Sequence, residues 1–247
     1  MKPVEIALCL ALMSHGVCGA DNLARVIEAV KPSIVGIGTM QQLRSPAIVF
    51  FGTGFVVADG LTVLTSAHVV SGVGDQKDTL GILIGTGDSA QFRAATVVAL
   101  DRDHDLAQLR FGGTALPAMQ LGDSRHVAEG QAMAFTGFPL GMVLGLHPVT
   151  HRAMVSAITP VAMPSINSRE LGAKLIGTLN KPVYAVFQLD GTAYPGNSGS
   201  PLYDPETGLV YGIINMVYVR GVKENAVSNP SGITYAIPGN FMRDMLR

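Results

Sequence analysis

Tyr194-Pro195-Gly196-Asn197-Ser198-Gly199-Ser200-Pro201-Leu202 sets a serine between glycines in a tight turn. A serine so flanked can expose its hydroxyl while neighbouring backbone N–H groups converge on an anion. Upstream lies Leu64-Thr65-Ser66-Ala67-His68-Val69-Val70, and between the two lies His104-Asp105-Leu106-Ala107. In sequence order these supply a histidine base, an aspartate to orient it and a serine nucleophile. Acyl-transfer hydrolysis by a Ser-His-Asp triad uses those three side chains.

The expected catalytic residues are therefore His68, Asp105 and Ser198, with the amides of Gly196 and Ser198 as the oxyanion hole. Such donors act on charge that develops only in the transition state, and removing one typically costs about 10²–10³ in rate. Taken alone, Pro-Gly-Asn-Ser-Gly is equally a plain glycine-rich turn. The following Pro201-Leu202, the strand pattern at 210–214 and the histidine motif upstream separate the two readings. His68 follows the apolar run Thr62–Thr65, which puts it at a strand end facing a cleft. Asp105 competes with Asp101 and Asp103, which share its parity along a strand. It is preferred because it opens Leu106-Ala107-Gln108-Leu109. A carboxylate entering a buried strand is dry enough to hold an imidazole by a charge-assisted hydrogen bond. Asp101 and Asp103 read as a solvated turn. His104, His126, His147 and His151 lack comparable surroundings, and neither a metal nor another cofactor is expected.

The chain has 247 residues, 48% hydrophobic and 14% charged, enough to bury a substantial core. Its 29 glycines and 14 prolines suit many short strands joined by turns. A net charge of −1 with no Lys/Arg cluster gives no reason to expect a nucleic acid or an anionic membrane as partner. Residues 1–20 read as an export signal: Lys2, an apolar run from Ile6 to Met13, then Cys18-Gly19-Ala20, with cleavage expected after Ala20. The competing reading is a buried amphipathic helix. The apolar run is far shorter than the ~20 residues that span a bilayer, so no membrane span is expected. Both cysteines, Cys9 and Cys18, fall in this leader, and the mature protein would have neither disulfide nor thiol chemistry.

Asp21 could cap a helix over Asn22–Val30, with Leu23, Val26, Ile27 and Val30 on one face. Beyond it, short β-branched runs recur at 34–38, 47–51, 54–57, 62–65, 81–84, 92–100 and 106–111. A second series covers 131–135, 150–158, 184–189, 202–203, 210–218 and 232–236, with a closing helix over Asn240–Leu246. Leu121–Gly130 forms a polar waist, 160–182 a long loop, and no internal repeat is visible. The pattern predicts an all-β barrel or sandwich.

Together these motifs resemble the trypsin-like serine peptidases, and within them the bacterial HtrA/Deg type. The resemblance rests on Gly52-Thr53-Gly54-Phe55-Val56-Val57, the His68 motif and Asp105-Leu106-Ala107. It continues through Leu121-Gly122-Asp123-Ser124, Gly137-Phe138-Pro139-Leu140-Gly141, Gly196-Asn197-Ser198-Gly199 and Tyr235-Ala236-Ile237-Pro238. It implies two six-stranded antiparallel β-barrels with short terminal helices, residues 21–125 forming one half and 126–247 the other. The active site would lie between them. The sequence ends nine residues after Pro238, so the PDZ domains usual in HtrA proteins are expected to be absent. Ser200 replaces the commoner glycine, as in staphylococcal glutamyl endopeptidases, but Ala193 and Asn215 stand where those carry threonine and histidine.

By the same resemblance the primary substrate pocket would be walled by Thr192, Ala193 and Tyr194 and by Ile214, Asn215 and Met216. No acidic residue stands there, so cleavage after small or medium aliphatic residues is expected rather than after Lys or Arg. The expected function is a periplasmic or secreted serine endopeptidase acting on proteins or peptides. A catalytically silent binding module on the same scaffold, or an esterase, would share the motifs. HtrA relatives often trimerise through the segment corresponding to residues 21–50. Ile48-Val49-Phe50-Phe51 would be an apolar patch if exposed, or an interior strand if not.

Overall fold

The structure is a computed structural model describing residues 20–71, 78–141, 145–160, 184–215 and 233–247. The expected leader to residue 19, residues 161–182 of the long loop, and residues 216–218 of an expected strand, Met216 among them, lie outside the described residues.

The molecule opens with helix α1 (Ala20–Val30). Asp21 lies within the helix, which begins at Ala20, rather than before it. Six strands follow: β1 (Ile34–Met40), β2 (Ile48–Val57), β3 (Thr62–Ser66), β4 (Thr79–Ile84), β5 (Gln91–Asp101) and β6 (Leu106–Phe111). They close into a barrel in the order β1-β2-β3-β6-β5-β4. The second set is β7 (Ala132–Gly137), β8 (Val149–Pro160), β9 (Ala185–Asp190), β10 (Pro201–Tyr203), β11 (Val210–Asn215) and β12 (Ile233–Pro238). It closes as β10-β11-β12-β9-β8-β7. A one-turn helix, α2 (Ala67–Val70), follows β3, and α3 (Gly239–Met245) follows β12.

Strands with β-branched residues on both faces form because both faces are buried. In β1, Val35 and Ile37 point into the first barrel with Val63, Ile82 and Leu109, while Ile34 joins the layer between the barrels. Met133, Phe135, Val155, Leu189 and Ile214 fill the second barrel. Phe55, Leu64, Leu106, Phe138, Tyr203 and Ile213 are packed together in the shared layer. Sequence suggested two strands over 47–57. The backbone runs as one, because Gly52 and Thr53 keep their antiparallel pairing with Ile37 and Gly36. Ile48–Phe51 are half-buried, and the Phe50 ring meets Phe138 edge-on at 6.2 Å.

The terminal helices cross over. The Asn22 side chain donates to the Glu206 carbonyl at 3.0 Å, so α1 rests on a turn of the second barrel. Phe241 in α3 stacks on His104 of the first. Among the described residues no helix is long and apolar enough to cross a membrane, and no cluster of three or more His, Cys, Asp or Glu could hold a metal.

Candidate active site

The serine loop is two consecutive turns. The Asn197 amide donates to the Tyr194 carbonyl at 2.9 Å, and the Ser200 amide to the Asn197 carbonyl at 3.0 Å. The turns need left-handed backbone at Gly196 (φ 101°) and Gly199 (φ 88°). A Cβ on Gly196 would run into the Phe138 carbonyl oxygen, and one on Gly199 into that of Thr53. Thr53 of β2 ties the loop down. Its amide donates to the Ser198 carbonyl at 2.9 Å, and its hydroxyl to the Gly196 carbonyl at 2.7 Å. That hydroxyl also accepts from the Phe138 amide at 3.0 Å. Among the described residues, the Gly196 and Ser198 amides make no backbone hydrogen bond. Ser198 is buried, with 6% of its surface exposed.

His68 sits in α2, two residues past the end of β3 rather than on the strand. Its Nδ1 lies 2.6 Å from Asp105 Oδ2, and its amide donates to Asp105 Oδ1 at 2.8 Å. One carboxylate thus holds both the ring and the backbone of the histidine. Asp105 occupies the turn before β6 with φ 54°, and its carbonyl accepts from the Ala67 amide at 2.9 Å. Asp101 is not a rival for His68. Its Oδ2 lies 2.6 Å from Nδ1 of His104, and its Oδ1 accepts from the Asp103 and His104 amides at 3.0 and 3.1 Å. Partial burial pushes the Asp101 carboxyl up, but the hydrogen bonds from the His104 ring and amide outweigh it and hold it below the usual carboxylate range.

The two halves meet through β11. Asn215 Nδ2 donates to Asp105 Oδ2 at 2.8 Å, so one carboxylate oxygen faces both His68 and the second barrel. One residue earlier, the Ile214 carbonyl accepts from the Gly199 amide at 2.9 Å and its amide donates to the Ser200 carbonyl at 2.8 Å. The Ser66 hydroxyl lies 3.4 Å from that same Ile214 carbonyl. A single strand therefore touches the His-Asp pair on one side and the serine loop on the other. Gly52 marks the seam, since a Cβ there would meet Val69 at 2.8 Å and the Ser198 carbonyl oxygen at 3.0 Å.

The residues expected to wall a pocket are placed unevenly. Thr192 and Tyr194 are half-buried and Ala193 is buried, with its amide donating to Thr234 Oγ1 at 3.0 Å. Ile214 and Asn215 do not present their side chains to an open pocket: Ile214 is packed inside the second barrel, and Asn215 is fully buried against Asp105. Strand alternation sends the two to opposite faces, and both faces are occupied. Sequence reasoning missed the part played by Asn215 and by Thr53. The one available signal was a polar residue inside an otherwise apolar, glycine-flanked strand.

The family described as Trypsin-like peptidase domain matches residues 52–213. The protein is 31% identical over 195 residues to a probable periplasmic serine endoprotease, DegP-like, of Halomonas elongata, over 78% of its own length and 34% of that relative's. Serine protease HTRA4 of Homo sapiens is 26% identical over 228 residues, covering 91% and 40% respectively. The solved structure of the HtrA-type protease AlgW with tripeptide superposes with a TM-score of 0.61 at 20% identity, over 91% of this protein and 62% of that one, a likeness of fold. The sequence spans about a third of the length of the first of these relatives, 34%. With that family match running across most of a molecule built as two six-stranded barrels, the chain belongs to the trypsin-like peptidase family, in its HtrA/DegP-like branch.

Proposed function

We propose that this protein is a serine endopeptidase that hydrolyses peptide bonds of proteins. The observation that carries the reading is the His68–Asp105 contact of 2.6 Å, linked through Asn215 to the strand that also holds the loop bearing Ser198. In this reading Ser198 attacks the scissile carbonyl. His68 takes its proton and returns it to the leaving amine. Asp105 fixes the imidazole tautomer and stabilises the imidazolium, and the Gly196 and Ser198 amides receive the oxyanion. Atoms balance across acylation and deacylation: the amine leaves with the serine proton, and water then releases the new carboxylate.

None of the expected wall positions, Thr192–Tyr194 and Ile214–Met216, is a carboxylate that would select Lys or Arg, which supports cleavage after small or medium aliphatic residues. The leader-like residues 1–20, and relatives named as periplasmic, support export to the periplasm.

A fluorophosphonate probe and an unfolded protein substrate test the reading. Wild-type protein is expected to be labelled at Ser198 and to cleave the substrate, whereas Ser198→Ala loses both with its fold intact. Well-folded wild-type protein that is neither labelled nor active would favour the silent binding module instead.

A further inference from the structure

The loop carrying Asp105 contains a second His-Asp pair that the proposed chemistry leaves unused. The two pairs are built alike. Asp105 takes the amide and Nδ1 of His68 at 2.8 and 2.6 Å, and Asp101 takes the amide and Nδ1 of His104 at 3.1 and 2.6 Å. His104 directly precedes Asp105. Its ring enters an aromatic socket supplied by the second half of the molecule. It stacks on Phe241 of α3 at 3.8 Å with an interplanar angle of 20°, and meets Tyr184, just before β9, edge-on at 4.6 Å. Tyr184 and Phe241 brace each other edge-on at 5.3 Å.

This socket matters because Asp105 has φ 54°, a left-handed conformation that costs a residue with a Cβ about 1–2 kcal/mol, less for aspartate than for most, so that neighbouring contacts help to hold it. On one side it is held by the Ala67 amide on its carbonyl and by β6, whose Leu106 pairs with Ser66. On the other side its neighbour in sequence is His104. A clamped ring resists rotation of the peptide between His104 and Asp105, which favours keeping the carboxylate on His68. Freed from the socket, the turn can revert to negative φ and swing the carboxylate away.

We propose that His104 is a positioning residue. Its ring, pinned by Asp101 and seated against Phe241 and Tyr184, locks Asp105 against His68 and so makes the C-terminal helix part of the catalytic apparatus. The inference rests on the serine-endopeptidase reading for its kinetic consequence, but not for its structural one.

The test compares wild type with His104→Ala, Phe241→Ala and the conservative His104→Phe and Phe241→Leu, by peptide kinetics and by proton NMR in the low-field region. Misplacement of a catalytic group by about 1 Å costs up to about 10²-fold. The alanine variants should therefore lose about 10- to 100-fold in kcat at nearly unchanged KM. His104→Phe, which keeps a ring in the socket, should recover most of that loss. In the spectra, a low-field line from the His68 Nδ1 proton, identified by its absence in Asp105→Asn, should shift or broaden in His104→Ala and persist in His104→Phe. Should an alanine variant fail to fold, Phe241→Leu supplies the milder perturbation with the same ordering. Folded alanine variants with wild-type kcat and an unmoved His68 line would overturn the proposal. Wild-type protein without hydrolysis, but with a line that responds as described, would instead overturn the peptidase reading and leave the positioning intact.

Discussion

Asp105 carries an unusual load for one side chain: its two oxygens accept from the His68 amide, face the His68 ring and accept from Asn215 Nδ2. Hydrogen bonds to a charged acceptor contribute about 1.5–3 kcal/mol each after exchange with water, and the Asp105 carboxylate is only partly exposed. Replacing Asn215 with leucine removes such a donor while keeping a side chain of similar size beside Asp105. We expect kcat to fall by about 10- to 100-fold, with KM changed little, because the loss acts on the imidazolium formed in the transition state. Asn215→Ser, which keeps a donor, should lie between. A change in KM alone would place Asn215 in substrate binding rather than in support of Asp105. Residue types alone could not make this assignment, because an asparagine in a strand reads as a wall as readily as a brace. The choice between Asp105 and Asp101 was open for a similar reason. The two share strand parity, and only the fold shows that Asp101 is already committed to His104.

At the scale of elements, the serine loop depends on three strands that are distant in sequence. β2 holds it through Thr53, β11 through Ile214, and the end of β7 lies close beneath it, where a Cβ on Gly137 would run into Ser200 Oγ. Such a loop tolerates no added bulk on its inner side. Gly199→Ala is strained both by its φ of 88° and by collision with a backbone carbonyl that cannot step aside. The expected destabilisation is about 3 kcal/mol or more, the sum of left-handed strain and overpacking, read as a lowered urea midpoint. An unchanged midpoint would mean that the loop is held more loosely than these contacts require. The strand pattern itself was largely legible, since β6 spans the run foreseen for it and most others differ by one or two residues. Two local features were not. Periodicity broke β2 at its glycines, although ladder pairing continues through them, and it put His68 at a strand end when the backbone turns into α2 there.

Across the whole molecule, two closed barrels share one apolar layer and exchange their terminal helices. A half-buried histidine beside the serine loop, its ring 6.2 Å from that of Tyr194, then affects how the assembly responds to pH. His151 on β8 stacks on Phe135 at 4.8 Å, and burial lowers its pKa from the ordinary 6.5. Above that value the ring is neutral in both states and contributes nothing to pH dependence. As pH falls below 6.5, the unfolded protein binds the proton and the folded one resists it, so stability drops until the folded pKa is passed. His151→Phe should flatten the decline in urea midpoint between about pH 6.5 and 5, a window above that in which the carboxylates titrate. Equal slopes in the two proteins would show that the ring is solvated. What the sequence determined by itself was local: the runs of alternating and β-branched residues that make strands, and the glycines that permit the serine turn. Those properties depend on each residue and its near neighbours. Which aspartate His68 takes, how β11 bridges the halves and why His104 lies against Phe241 and Tyr184 were decided only by tertiary structure. Those pairings join segments far apart in sequence, His104 to Phe241 among them, and they exist only once two closed barrels bring their edges together.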